Sequence, residues 1–164
     1  MEKDKKYKIE FAKLEDVKDI ANLYGDWQEF SGILPNELLK LDTIDDLAKY
    51  FNEGNSPRKF IVAKSKNNKV IGVCYLDITW QGLKNIRLGD MFVHKEFRNI
   101  GIGSSLIDKT IDYAKENNIK KIWLWTQEEL KDAIRLYEKK GFKLEGTQKA
   151  QFCGKDTLLY GFVL

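Results

Sequence analysis

The chain has 164 residues, of which 43% are hydrophobic and 12% aromatic. A domain of this size buries roughly two thirds of its unfolded surface, so the composition excludes a wholly disordered chain. Its 28 basic and 25 acidic residues leave a net charge of +3, spread along the chain rather than gathered in the basic stripe of a nucleic-acid binder.

Tyr7 to Ala12 alternates polar and apolar residues and predicts a first strand. Leu14, Val17, Ile20, Ala21 and Tyr24 follow at helical spacing, and Gly25 to Leu41 is irregular. Asp42 or Thr43 is placed to cap a second helix through Phe51, which Gly54 to Arg58 breaks. Phe60 to Ser65 and Lys69 to Thr79 predict a hairpin around Lys66-Asn67-Asn68, and Ile86 to Val93 a further strand. Gly101 to Asn117 reads as a helix with Ile102, Leu106, Thr110, Ile111 and Ala114 on one side. Lys121 to Thr126 reads as a short buried strand. Glu128 or Glu129 to Lys140 reads as a helix with Leu130, Ala133, Ile134 and Tyr137 on one face and Gly141 as its C-cap. Phe142 to Gln148 and Thr157 to Val163 close the chain as paired strands. Early hairpins and late helix crossovers imply an α/β fold of the α+β type, a mixed sheet with helices on its faces.

Nothing reads as a linker, and one domain is expected over residues 1–164. Cys74, Cys153 and the single His94 cannot supply the roughly four ligands of a structural zinc site. No apolar run approaches the ~20 residues of a membrane span, and the charged first residues lack the apolar core of a secretory signal. The expectation is a cytoplasmic protein with reduced cysteines, no metal, no nucleic-acid partner and no membrane partner.

The most informative stretch is Leu88 to Ser104. A strand ends near Val93, and Arg98-Asn99-Ile100-Gly101-Ile102-Gly103 opens a helix. A helix N-terminus presents unpaired N–H groups and about half a positive charge. Glycines admit a phosphate closely, and an arginine adds a forked cation. The local physics predicts a diphosphate site; the bland alternative is a strand-to-helix turn with glycines for packing. The dinucleotide fingerprint fails because Leu106 stands where a third small residue belongs, and the P-loop fails because Ser104 and Ser105 follow Gly103 in place of Lys-Ser/Thr.

Arg98-x-x-Gly101-x-Gly103 after a strand resembles the signature of the GNAT (Gcn5-related N-acetyltransferase) superfamily. Ala133-Ile-Arg-Leu-Tyr-Glu-Lys-Lys-Gly-Phe142 resembles its second signature, and Ala12 to Asp16 its first strand-to-helix junction. The resemblance runs from about Tyr7 to Leu164. It implies a mixed, mostly antiparallel central sheet with helices on both faces, and acetyl-coenzyme A as cosubstrate. By the same resemblance Arg98, Asn99, Ile100, Gly101, Ile102, Gly103 and Ser104 hold the pyrophosphate. Met91, Phe92 and Val93 pair with the pantetheine arm, and a backbone N–H there polarises the thioester carbonyl.

Tyr137 matches the family tyrosine that protonates the leaving thiolate, a proton transfer open to a phenol of reference pKa ~10; core packing is its alternative role. Asp90 is the candidate base for the amine, because an acid in an otherwise apolar strand is partly desolvated and its proton affinity rises. In strict alternation Asp90 shares a face with Leu88 and Phe92, which a bulge would change; its bland reading is a strand-end acid satisfied by backbone or by Arg87. Leu130 stands where many members carry asparagine, and Trp125 where some carry an acid, with Thr126 or Gln127 as substitutes for a polar contact. His94 reads as a surface residue, Lys95 as solvated with a place facing the coenzyme phosphates as its alternative, and Cys153 has no histidine partner beyond His94 for a nucleophilic role.

In the family the acceptor pocket comes from segments matching Tyr24 to Leu41 and Gln148 to Thr157. Here Tyr24, Trp27 and Phe30 beside Asp26, Glu29 and Glu37 suit a small cationic amine. The Thr79-Trp80-Gln81-Gly82 turn either lines that pocket or is a plain hairpin tip. The expected reaction is direct acetyl transfer to a primary amine of a small molecule in a ternary complex. The alternatives are a protein N-terminal or lysine acetyltransferase and a non-catalytic coenzyme A-binding module. Homodimers are common in the family, and one is expected here.

Overall fold

The computed structural model of the chain describes residues 6–34, 43–52 and 56–164. Pro35, Glu37, Leu41, Asp42 and Gly54 therefore lie outside the described residues. The elements follow the predicted order: β1 (Tyr7–Phe11), α1 (Val17–Gly25), α2 (Ile44–Asn52), β2 (Arg58–Ser65), β3 (Val70–Asp77), β4 (Asn85–Val93), α3 (Ile102–Glu116), β5 (Lys121–Thr126), α4 (Lys131–Lys139), β6 (Lys143–Phe152) and β7 (Lys155–Val163). The strands form one seven-stranded sheet in the order β1-β2-β3-β4-β5-β7-β6. Every pairing is antiparallel except β4 with β5.

Helices cover both faces. On one, Val17, Ile20, Leu23 and Tyr24 of α1 and Leu47 of α2 pack against Phe60, Val62, Val73, Tyr75 and Phe92. On the other, Leu106, Ile107 and Ala114 of α3 and Tyr137 of α4 pack against Ile61, Cys74, Leu76, Leu88 and Ile122. Leu14 is not part of that inner face. It lies in a short 3-10 helix ahead of α1 and is half exposed.

The predicted caps form where local chemistry demands them. Thr43 Oγ1 accepts from Asp46 N–H while the Asp46 carboxylate accepts from Thr43 N–H, both at 3.2 Å, a reciprocal capping box. Gly141 takes φ +95° behind α4, and Phe142 N–H reaches back to Tyr137 O at 3.0 Å. A buried Lys64 joins β2 to the entry of α1, its Nζ 2.7 Å from Asp16 and 2.8 Å from Glu10. The last two strands are longer than predicted. A two-residue turn at Cys153 (φ +49°) and Gly154 (φ +80°) carries the ladder to Phe152 and Lys155.

Candidate active site

Parallel β4 and β5 pair only at Asn85–Arg87 with Lys121–Trp123. Beyond that register β4 runs on to Val93 and β5 to Thr126 with no further ladder between them. The sheet thus opens as a wedge at its centre, with the Leu88–Val93 segment bonded to β3 on one side only.

A bulge sits in that segment. The β3 register passes from Tyr75↔Gly89 to Val73↔Phe92, so Asp90 and Met91 oppose the single residue Cys74, and Asp90 takes φ +43°. The extra residue reverses the alternation. Leu88 therefore packs with the α3 cluster and Phe92 with the α1 cluster. The face that strict alternation assigned to Leu88, Asp90 and Phe92 together does not exist, and Asp90 instead lines a cleft of about 510 Å³ at the mouth of the wedge.

Tyr137 lines the same cleft. It is 8% exposed, with its ring 5.9 Å from that of Phe142, so the packing role and access to the cleft coexist in one side chain. Burial, with smaller contributions from Cys74 and Asp90, pushes its phenol well above the ordinary value. Leu130 and Trp125 also line the cleft, as do Thr126 and Gln127; Gln127 is buried and donates to Thr157 Oγ1 at 3.3 Å.

At the start of α3 the first helical bond is Ser105 N–H to Gly101 O, 3.0 Å, leaving the amides of Ile102, Gly103 and Ser104 ahead of the helical ladder. Gly101 caps the helix at φ +93°, and Asn99 before it has φ +63°. Gly103 serves packing: a Cβ there would stand 2.9 Å from Leu136 Cδ2 of α4. Ile102 is buried, and Ile100 is half exposed. Arg98 does not extend alone toward that helix end. Its Nε donates to Val93 O at 2.9 Å, its guanidinium pairs with Glu29, and it lies 5.4 Å over the Phe92 ring.

The acceptor-side segments do meet. Trp27, Phe30 and Leu34 line the cleft opposite Phe152, whose ring is 4.5 Å from Trp125. Lys155 Nζ fastens the β6–β7 hairpin to the 26–34 segment through Gly32 O (3.1 Å) and Ile33 O (2.6 Å). Of the acids expected there, two turn away: Glu29 pairs with Arg98, and Asp26 lies 3.7 Å from His94 Nε2. His94 also accepts from Glu96 N–H at 3.3 Å. The Thr79–Gly82 turn is a hairpin tip whose Gln81 accepts from the Tyr113 hydroxyl at 2.9 Å.

Sequence reasoning missed Arg58, Tyr75 and Arg87 as cleft residues. The available signal was charge at inward positions of apolar strands. Tyr75, hydrogen-bonded by Arg87, has its phenol pushed up to about 12 by burial. The Tyr24 hydroxyl and Trp27 Nε1 are buried without a hydrogen-bond partner among the described residues, two donors next to or on the cleft wall. Buried Cys74 has its thiol raised to about 12, and Cys153 is exposed on its hairpin tip. Among the described residues no group of three or more His, Cys, Asp or Glu could hold a metal ion, and no helix is long and apolar enough to cross a membrane.

Residues 20–142 match the model of the acetyltransferase (GNAT) family. An uncharacterized N-acetyltransferase of Methanocaldococcus jannaschii is 36% identical over 83 residues, 47% of this chain and 36% of the relative. An uncharacterized N-acetyltransferase of Bacillus subtilis is 28% identical over 148 residues, 88% of this chain and 95% of the relative. Two further curated relatives are matched over about half their length. Among solved structures, the PaiA N-acetyltransferase of Thermoplasma acidophilum in complex with coenzyme A superposes with a TM-score of 0.81 at 19% identity, over 96% of this chain and 99% of the other.

Proposed function

The chain belongs to the GNAT acetyltransferase family, and from that premise we propose that it moves an acetyl group from acetyl-coenzyme A to the primary amine of a small molecule, by direct attack in a ternary complex. The observation that supports this reading is the wedge between β4 and β5, with Leu88 to Met91 of the one-sided β4 edge and Tyr137 lining one cleft.

Acetyl-coenzyme A supplies the acetyl thioester. The amides of Ile102, Gly103 and Ser104 suit its diphosphate, since they face outward from a helix N-terminus that favours anions. Arg98, Asn99, Ile100 and Gly101 shape the turn that presents them. The Met91–Val93 edge adds backbone partners for an extended pantetheine arm, as a sheet edge does for any added strand. A backbone N–H there stabilises the developing oxyanion, an effect of about 2.7–4 kcal/mol per donor.

Asp90 takes the proton of the incoming ammonium, directly or through water. The amine nitrogen then forms the C–N bond as the C–S bond breaks. Tyr137 donates its phenolic proton to the departing sulfur, and the proton lost from the new amide nitrogen restores it. Burial keeps Tyr137 in its neutral, donating form.

The test is thermal unfolding with and without acetyl-coenzyme A, with NAD and ATP as controls, followed by thiol release against a panel of amines. A ligand at ~100 times its dissociation constant adds about 2.7 kcal/mol, a rise of several degrees in midpoint. A shift confined to the coenzyme, with amine-dependent thiol release, is expected. No shift, or a larger one with NAD or ATP, overturns the reading.

A further inference from the structure

Resting on the acyl-transfer reading above, we propose that Gln127 binds and orients the acceptor: its side-chain carbonyl takes an N–H of the amine and holds the nitrogen across the wedge from Asp90. Gln127 follows the last residue of β5, and its backbone carbonyl accepts from Leu130 N–H at 3.1 Å in the turn that leads into α4. The side chain is lodged rather than free to swing. The residue is 1% exposed, and its Nε2 donates at 3.3 Å to Oγ1 of Thr157, which is wholly buried. Packing together with a hydrogen bond of this kind locks a rotamer. An amide has a donor end and an acceptor end. With the nitrogen engaged, the carbonyl oxygen Oε1 is left, and it bonds to none of the described residues. The buried side-chain atoms without a partner among the described residues are Tyr24 OH and Trp27 Nε1. Gln127 Oε1 is not one of them, so it opens to the cleft that Gln127 lines.

Position favours the amine over the coenzyme arm as the partner of this oxygen. Thr157 lies in β7 two residues past Lys155, whose Nζ fastens the β6–β7 hairpin to Gly32 and Ile33. Gln127 is therefore tied to the hairpin whose Phe152 stands opposite Trp27, Phe30 and Leu34 in the cleft. Asp90 enters the same cleft from β4, and β4 and β5 have parted beyond Arg87 and Trp123. A nitrogen between the two strands meets one oxygen acceptor from each. The two acceptors differ in kind. A carboxylate takes up a proton, whereas an amide carbonyl accepts a hydrogen bond and leaves the proton on its donor. Asp90 thus removes the ammonium proton while Gln127 keeps its N–H contact, and the nitrogen stays in place as its lone pair turns to the thioester carbon.

The experiment reads thiol release from acetyl-coenzyme A with benzylamine, phenethylamine and diaminobutane, and coenzyme A binding by calorimetry, for the wild type, Gln127→Met and Gln127→Glu. Gln127→Met keeps a side chain of similar length and removes the oxygen. It is expected to lower kcat/KM for the amine about tenfold, the usual size for one hydrogen bond to a charged group, while the coenzyme A dissociation constant stays within about twofold of the wild type. Gln127→Glu keeps an oxygen at the site and adds charge. A carboxylate there stabilises the bound ammonium, so the acid limb of kcat is expected to move to higher pH. A side chain that only braces Thr157 would leave that limb in place. Gln127→Met with an unchanged kcat/KM, or Gln127→Glu with an unmoved limb, overturns the proposal and leaves the acyl-transfer reading standing. Weaker coenzyme A binding with an unchanged acceptor KM assigns the oxygen to the coenzyme arm and overturns it likewise. A wild type that binds coenzyme A but releases no thiol with any of the amines overturns the acyl-transfer reading and the amine contact with it.

Discussion

Gly89 lies beneath the ring of Tyr75: a Cβ built on Gly89 would stand 2.4 Å from Tyr75 Cζ and 2.7 Å from its hydroxyl oxygen. Because Arg58 and Arg87 both rest on that ring, one missing methyl sets the wall of the cleft. Gly89→Ala is expected to displace Tyr75, to destabilise the fold by about 1–3 kcal/mol as overpacking does, and to raise the acceptor KM more than the acetyl-coenzyme A KM. Denaturant unfolding and steady-state kinetics check both parts. An unaltered acceptor KM would separate Tyr75 from the acceptor site.

Tyr137→Phe keeps the ring that packs against Phe142 and removes the proton donor. A fall of ~10²–10⁴ in kcat is expected, with coenzyme binding by calorimetry unchanged. The sign of its pH dependence follows from burial, which raises the phenol above its ordinary value. The donor stays protonated through neutral and mildly alkaline pH, so kcat shows no falling limb below about pH 10. A falling limb near pH 8 that vanishes in the phenylalanine variant would assign Tyr137 a different environment.

Glu29 competes for Arg98. The pair is partly exposed, with side chains 37% and 31% accessible, so it contributes only ~0.2–1 kcal/mol. Glu29→Gln releases the guanidinium for an anion near the α3 N-terminus and is expected to tighten coenzyme A binding by up to about fivefold, less at high salt. Arg98→Ala is expected to weaken it. No change in either variant would leave Arg98 as a staple between the end of β4 and the 26–34 segment.

Lys64 is 4% exposed and holds Asp16, itself 6% exposed. Lys64→Met strands a buried carboxylate and is expected to cost about 3–5 kcal/mol in chemical unfolding. The lysine also holds the Glu10 carboxyl below its ordinary value of 4.5. A depressed carboxylate gives stability that is present above that value and lost as pH falls through the folded one. The wild type should therefore lose part of its stability below about pH 4.5, and Lys64→Met should lose less over the same window.

Alkali acts with the opposite sign. Burial raises the phenols of Tyr24, Tyr75 and Tyr137, Tyr75 to about 12. Groups raised on folding give stability that is complete below the unfolded value and lost above it, so the unfolding midpoint is expected to drop once pH passes about 10. Tyr75→Phe should reduce the slope of that drop.

What the sequence alone determined is local. The spacing of Ala133, Ile134 and Tyr137, with Gly141 behind them, specifies a helix, its inner face and its left-handed cap, because each signal acts within one or two turns; its start is later than expected, with Leu130 at the N-cap rather than on the inner face. Arg98 to Gly103 likewise marks a strand-to-helix turn, whose N–H groups follow from helix geometry. The resemblance carried by the two family motifs then implied a mixed, mostly antiparallel sheet with helices on both faces, and the strand order came from the structure.

The tertiary structure decided everything that depends on register. Leu88 and Phe92 fall on opposite faces, because an unpaired residue reverses the alternation and nothing in a run of strand-forming residues marks where the ladder slips. A Cβ at Gly103 would meet Leu136 on another helix, a neighbour that the strand-to-helix motif does not reveal. Asp26 and Glu29 turn from the cleft because His94 and Arg98, about seventy residues away, stand beside them. Arg58, Asp77 and Arg87 become one row only when three strands pair. Periodicity reports which way a side chain points along its own element; the partner it meets is set by long-range pairing, which short-range propensity does not encode.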